Sequence, residues 1–207
     1  MIFYLDFDST LFHTKNFTKK MLNSIAVSLT SENSSLNKDE IYSEAQSLFN
    51  RDNIYNIYKL ADFLAEKYNA NKEIVRKNLH LTIEDGKEFV FDDVVPFLEK
   101  IKKNNNVVIF TYSTKDSFSF QLEKIYGSGL ADYFDDIIIT DKQKHELNLD
   151  YQNAVFVDDN NEVLEGLYSV HPKKLYRIRR EGTKYYNAIL PENLDIPEIF
   201  SLNEIDY

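Results

Sequence analysis

Apolar and polar positions change rhythm twice along this chain. It opens on a short apolar run, Ile2 to Leu5, that ends at an acidic residue, Asp6. A run of that length bounded by polar residues suits a buried strand. From Lys15 the spacing lengthens, and Phe17, Met21, Ile25 and Leu29 recur every four residues, which places them on one face of a helix. The polar stretch TSENSSLN, residues 30–37, reads as a loop. Asn37 followed by Glu40 resembles a capping box that opens a second helix with Ile41, Ala45 and Leu48 on its apolar stripe. Ile57, Leu60, Ala61 and Leu64 mark a third helix, and Ile74 to Leu81 a fourth. Residues 15–88 therefore read as helical, with little strand signal.

The second change comes near residue 89. Val94, Phe97, Leu98 and Ile101 form one helix face, closed by the polar stretch KKNNN. Beyond it, short apolar runs alternate with helical patterns. The runs are Val107 to Phe110, Ile137 to Ile139, Ala154 to Val157 and Leu175 to Ile178. The helices pass through Phe118, Leu122 and Ile125, stopping near Gly127 and Gly129, and through Asn161 to Tyr168. Ile196, Ile199, Phe200 and Leu202 predict a short final helix. Buried strands that alternate with helices imply a parallel sheet with right-handed crossovers. The predicted organisation is one α/β core, residues 1–14 and 89–207, interrupted after its first strand by an all-helical domain, residues 15–88.

Composition narrows the function. With 207 residues, 43% hydrophobic and 14% aromatic, the chain can bury a sizeable core. It has no cysteine, so neither disulfides nor thiolate metal sites are available, which fits a reducing compartment. The net charge of −10 argues against general nucleic-acid binding. One local exception is KKLYRIRREGTK, residues 173–184, read as a strand and turn with solvated charges or as an attraction site for an anionic substrate. The opening MIFYLDFDST lacks the pattern of a signal peptide, and no apolar stretch is long enough to span a membrane, so a cytoplasmic protein is expected. Oligomeric state is not readable.

In open parallel sheets, ligands bind at the carboxyl ends of the strands. Asp6, Asp8 and Thr10 follow the first strand. Thr111, Tyr112 and Ser113 follow the second; Thr140, Asp141, Lys142 and Lys144 follow the third. Asp158 and Asp159 follow the fourth. If these strands are neighbours, four carboxylates converge with a hydroxyl and an ammonium. Carboxylates so close repel one another, and a divalent cation relieves the repulsion. Oxygen ligands without His or Cys favour Mg²⁺, which readily takes a phosphate oxygen and so points to a small phosphorylated substrate. A carboxylate beside a metal-held phosphoryl group can attack it, and a second acid can protonate the leaving oxygen. Thr111 and a lysine would bind the remaining phosphoryl oxygens.

This constellation resembles the haloacid dehalogenase superfamily. LDFDSTL resembles its first motif, VVIFTYS its second, the lysine after IIITD its third and VFVDDN its fourth. FDDVVPFLEKIKK and the closing SLNEI also look like that family. The resemblance covers roughly residues 1–14 and 89–207, and the helical segment matches a cap in position and helical content only. It implies a Rossmann-like core with an inserted helical cap and an Mg²⁺-dependent phosphatase that forms an aspartyl-phosphate. Asp6 would be nucleophile and metal ligand; Asp8 would be general acid, then base, and would offer its carbonyl to the metal. Thr111 would hold the phosphoryl group, with Tyr112, Ser113 and Lys144 as further substrate contacts. Lys142 would balance charge, favoured over Lys144 by its spacing to Asp158. Asp159 would be the main acidic ligand from the last motif, and Asp158 a second ligand or an outer-shell partner. The family often has Asn where this chain has Tyr112, which bears on substrate orientation.

Rival readings are weaker. A response-regulator receiver carries its acidic pair early, whereas here it comes last. A P-type ATPase would need Lys and Thr after the nucleophile, and membrane helices. A dehalogenase would not need Asp8. A phosphomutase uses the same residues, and a silent binding protein need not keep them. His13, His80, His145 and His171 show no metal-ligand spacing, and His13 is a minor substrate-contact candidate. Tyr55, Tyr58 and Tyr68 either line a substrate entrance or pack in the core.

Overall fold

A computed structural model describes residues 1–51 and 56–206 of the chain. Six strands are named among them: β1 (Ile2–Leu5), β2 (Asn106–Tyr112), β3 (Asp136–Thr140), β4 (Ala154–Asp158), β5 (Lys174–Ile178) and β6 (Glu198–Ile199). They form one sheet in the order β3-β2-β1-β4-β5-β6, and every pairing is parallel. β1 sits at the centre, flanked by β2 and β4, so a chain that leaves β1 for β2 and later returns to β4 must reverse its winding there. Ligands in such sheets bind at that reversal.

The strands are apolar on both faces, as a sheet covered by helices on both sides requires. Phe3, Leu5, Val107, Ile109, Val155 and Val157 point into one core, where they meet α5 (Val94–Ile101) and α6 (Phe118–Gly127). Tyr4, Val108, Phe110 and Phe156 point the other way, against Leu164 and Leu167 of α7 (Asn161–Ser169). On that face the Tyr4 ring stacks on Phe156 at 4.9 Å.

Among the described residues, four α-helices lie between β1 and α5: α1 (Thr14–Glu32), α2 (Lys38–Arg51), α3 (Ile57–Lys67) and α4 (Lys72–Glu84). Each turns a buried stripe inward: Phe17, Met21 and Ile25; Ile41 and Ala45; Leu60 and Leu64; Val75 and Leu79. Asn37 caps α2 by accepting from Asp39 N and donating to Glu40, and Asn56 and Asn71 cap α3 and α4. α4 also packs on α6. Gly127, the last residue of α6, makes this possible, because a Cβ there would sit 2.0 Å from the carbonyl oxygen of Ile83. Facing it, Gly86 leaves room for the Gly127 backbone.

Three local expectations need correction. α1 runs through Thr30 and Ser31, where the loop was expected, and there both hydroxyls bond back to carbonyls of their own helix. The predicted final helix is instead the edge strand β6, followed by a single 3-10 turn at Leu202–Glu204. Ile196, Ile199 and Leu202 are buried by these pieces in turn, which produced a helix-like spacing. The basic stretch does form a strand and a turn, and Lys173 and Lys184 are exposed, but two of its charges are not solvated. Arg177 is 1% exposed and bonds Glu198 and the carbonyls of Tyr185 and Ala188. Arg180 is also buried, bonding Asp93 at 3.0 Å and the carbonyl of Thr10 at 3.1 Å.

Candidate active site

The loop after β1 is held from both sides. Asp6 N donates to the Val157 carbonyl of β4, and Ser9 N donates back to Phe12, closing a tight turn. Ser9 has a φ of 63°, a region that non-glycine residues enter rarely. Phe7, fully buried, stacks on Phe12 beneath the turn, and Arg180 takes the Thr10 carbonyl. The result aims Asp6 and Asp8 into one cavity of about 720 Å³ at the carboxyl edge of the sheet.

Thr111, Tyr112 and Ser113 at the end of β2 line the same cavity, as do Asp158 and Asp159 at the end of β4. Thr111 is buried and its hydroxyl accepts from Gln121 Nε2 at 3.1 Å. Tyr112 is half exposed at the rim. The opposite wall comes from the helical insertion, through Phe17, Met21 and Phe49.

Of the two lysines expected to compete after β3, Lys144 enters the cavity and Lys142 does not. The Thr140 hydroxyl accepts from Lys142 N and turns the chain, leaving the Lys142 side chain exposed. The chain then makes a 3-10 turn, Lys144–Glu146, pinned under α7. Tyr151 donates to the carbonyls of Lys144 and Leu147, and His145 fills the space that Gly166 leaves open. Lys144 is thereby directed inward, 4% exposed, with Nζ 2.7 Å from both Asp6 Oδ1 and Asp158 Oδ2. Burial alone would lower its pKa, but these two carboxylates outweigh burial and hold it above the usual lysine range.

One carboxylate oxygen from each of Asp6, Asp158 and Asp159 lies within 4.8 Å of the others. Burial and the neighbouring carboxylates push Asp6 up to about 7 and Asp159 up to about 9, although Lys144 opposes both shifts. Asp159 Oδ2 is buried and has no hydrogen-bond partner among the described residues. One ammonium does not satisfy three such groups, and an all-oxygen set with an orphaned carboxylate oxygen suits a divalent cation of the Mg²⁺ type.

Asp8 stands apart from this cluster. Its Oδ1 accepts from Thr14 Oγ1 and Lys124 Nζ, both at 2.5 Å, and its Oδ2 accepts from Gln121 Nε2 at 2.8 Å. Burial would raise Asp8, but Lys124, Thr14 and Gln121 together hold it below the usual carboxylate range. Gln121 and Lys124 were not anticipated. The expected apolar face of α6 was Phe118, Leu122 and Ile125, whereas the buried face is Phe120, Gln121, Lys124 and Ile125, and Leu122 is exposed. The signal available was a Gln and a Lys one turn apart beside buried apolar residues.

His13 lies in a separate cavity of about 220 Å³, stacked on Phe91. Tyr58 and Tyr68 donate to Glu123 and Glu44 and tie helices together, and neither lines the main cavity; Tyr55 lies outside the described residues. Among the described residues no helix is long and apolar enough to cross a membrane.

Neither a protein-family model nor a curated protein sequence matches the chain. Solved structures do. A HAD phosphatase from Thermococcus onnurineus superposes with a TM-score of 0.60 at 22% identity, over 98% of this chain and 94% of that one. The magnesium-bound structure of YfnB from Bacillus subtilis gives 0.58 at 15%, over 98% and 95%. The L-2-haloacid dehalogenase of Xanthobacter autotrophicus gives 0.56 at 14%, over 98% and 95%. The chain has the haloacid-dehalogenase-like fold, an α/β Rossmann-like core with a parallel sheet, and the similarity extends over nearly its whole length.

Proposed function

We propose that the chain is a Mg²⁺-dependent phosphatase that hydrolyses a small phosphomonoester through an aspartyl-phosphate on Asp6. The observation that carries this reading is the pair Asp6 and Asp8, aimed into one cavity and held by different partners. One carboxylate serves as nucleophile and the other as proton carrier, and a dehalogenase has no need of the second. Asp6, Asp158 and Asp159, with the carbonyl of Asp8, would hold Mg²⁺, which when bound would neutralise phosphoryl charge. The Thr111 hydroxyl and Ser113 bind phosphoryl oxygens, and the Lys144 ammonium offsets the charge that builds between nucleophile and phosphorus.

Asp6 attacks phosphorus and the ester oxygen departs, taking a proton from Asp8 where the alcohol is a poor leaving group. For that step Asp8 must first gain a proton, as substrate charge enters the cavity. Water then attacks the aspartyl-phosphate and gives its proton to Asp8, which the ligand-free site already holds as the required carboxylate. Residues 15–88 act as a cap on the core of residues 1–14 and 89–207, and their apolar wall selects the part of the ester beyond phosphorus.

The test is hydrolysis of a panel of small phosphomonoesters, with Mg²⁺ and with a chelator, by wild type and Asp6→Asn. Metal-dependent turnover that Asp6→Asn abolishes without loss of fold is expected. A folded Asp6→Asn with near-wild-type turnover removes Asp6 from the nucleophile's role.

A further inference from the structure

Lys124 is 4% exposed on α6, with its ammonium 5.5 Å from the centre of the Phe7 ring and 5.6 Å from that of Phe120. An ammonium buried among rings is costly unless paired, and a buried pair is at best a weak source of stability. A position between Phe120 and Ile125 on a core-facing helix is ordinarily apolar. The charge is also not needed by the nucleophile, since Lys144 already reaches Asp6 and Asp158.

What Lys124 does reach is Asp8. Together with Gln121, one turn earlier on the same face, and Thr14, the first residue of α1, it fixes both oxygens of that carboxylate. A short side chain gripped from two elements has one orientation where a free one would have several.

We infer that Lys124 is a positioning residue that holds the Asp8 carboxylate in place to receive the proton of the water that hydrolyses the aspartyl-phosphate. The inference rests on the phosphatase reading above. In the step concerned, the water oxygen bonds to phosphorus and the phosphorus–oxygen bond to Asp6 breaks. The electron pair returns to the Asp6 carboxylate, the water's proton passes to Asp8, and inorganic phosphate is released. Phosphorylation of Asp6 by an ester with a good leaving group needs no proton from Asp8, so the two half-reactions respond differently to loss of Lys124.

The experiment mixes near-stoichiometric enzyme rapidly with 4-nitrophenyl phosphate and Mg²⁺, for wild type, Lys124→Met and Thr14→Val. Lys124→Met is expected to release one nitrophenol per active site at close to the wild-type rate, then to turn over roughly 100-fold more slowly than wild type. Acid quenching during the slow phase should recover phosphate bound to the protein. Thr14→Val, which removes another hydrogen bond to the same Asp8 oxygen, should show the same partition with a turnover deficit of about fivefold, and it carries the test if Lys124→Met does not fold. A folded variant whose first turnover slows in step with its steady state, or whose turnover is unchanged, overturns the role of Lys124. A wild type that releases no nitrophenol overturns the phosphatase reading and this inference with it.

Discussion

Two lysines flank the loop after β1, and their surroundings differ in what they leave unsatisfied. Lys144 faces three buried carboxyl groups and contacts two of them, so its side of the cavity keeps an oxygen of Asp159 without a partner among the described residues. Lys124 faces one carboxylate whose two oxygens are both hydrogen-bonded. The first arrangement leaves an oxygen open and fits the proposed capture of a cation. The second is complete as it stands and suits holding a side chain still. Two ion pairs of similar length thus sit in opposite surroundings: one beside a carboxylate oxygen left open, the other on a carboxylate held at both oxygens.

The contrast can be broken most severely at Lys144. Lys144→Met leaves Asp6 and Asp158 buried without their cation and should cost about 3–5 kcal/mol in a urea titration of the metal-free protein. Phosphomonoester turnover should fall for first and later cycles alike, unlike the split expected at Lys124. A smaller effect of opposite sign should come from Asp159→Asn. Removing a buried carboxyl whose ionised form is disfavoured by burial and by Asp6 and Asp158 should stabilise the metal-free fold by about 1 kcal/mol near neutral pH. The rise in melting temperature that Mg²⁺ gives the wild type should shrink in the same variant. If Mg²⁺ stabilises both proteins equally, Asp159 is not a ligand.

A third buried pair, Arg180 with Asp93, sharpens the contrast because neither side chain lines the main cavity. Burial raises the Asp93 pKa, but Arg180, Leu202 N and Ser201 outweigh it and depress the carboxyl below its ordinary value. A depressed acid stabilises the fold above its unfolded pKa and loses that contribution as pH falls through the folded value. Asp93→Asn should therefore cost about 2 kcal/mol near pH 7 and progressively less toward pH 3. Stability measured by urea at both values checks this, and an equal loss at pH 7 and pH 3 would assign the effect to packing.

Much of this was legible in the residues. Acidic groups directly after buried strands are conspicuous, so Asp6, Asp8, Asp158 and Asp159 stood out, and alternation of strands with helices implied the parallel sheet. Two kinds of information were hidden. Spacing along a loop does not say which lysine turns inward: Lys144 does so because of a 3-10 turn and contacts from Tyr151 and α7 that lie beyond the local sequence. The helix α6 was placed, but its face was misread, because periodicity counts only apolar residues as buried. Gln121 and Lys124 are buried by a carboxylate from another element. Arg177 and Arg180 were misjudged for the same reason, since their partners come from distant segments.

The contact between Gly127 and Ile83 ties these observations to the insertion. Backbone meets backbone there, so the joint has no side chain that could yield. Any larger residue at 127 would act as a wedge, pushing α6 away from α4 along its axis or outward from the sheet. Lys124 and Gln121 lie one and two turns up that same rigid rod, and their donors would be carried off Asp8 together. A substitution that adds one carbon at the far end of α6 would thus be transmitted to the Asp8 carboxylate as a displacement, with no change in any residue that touches it.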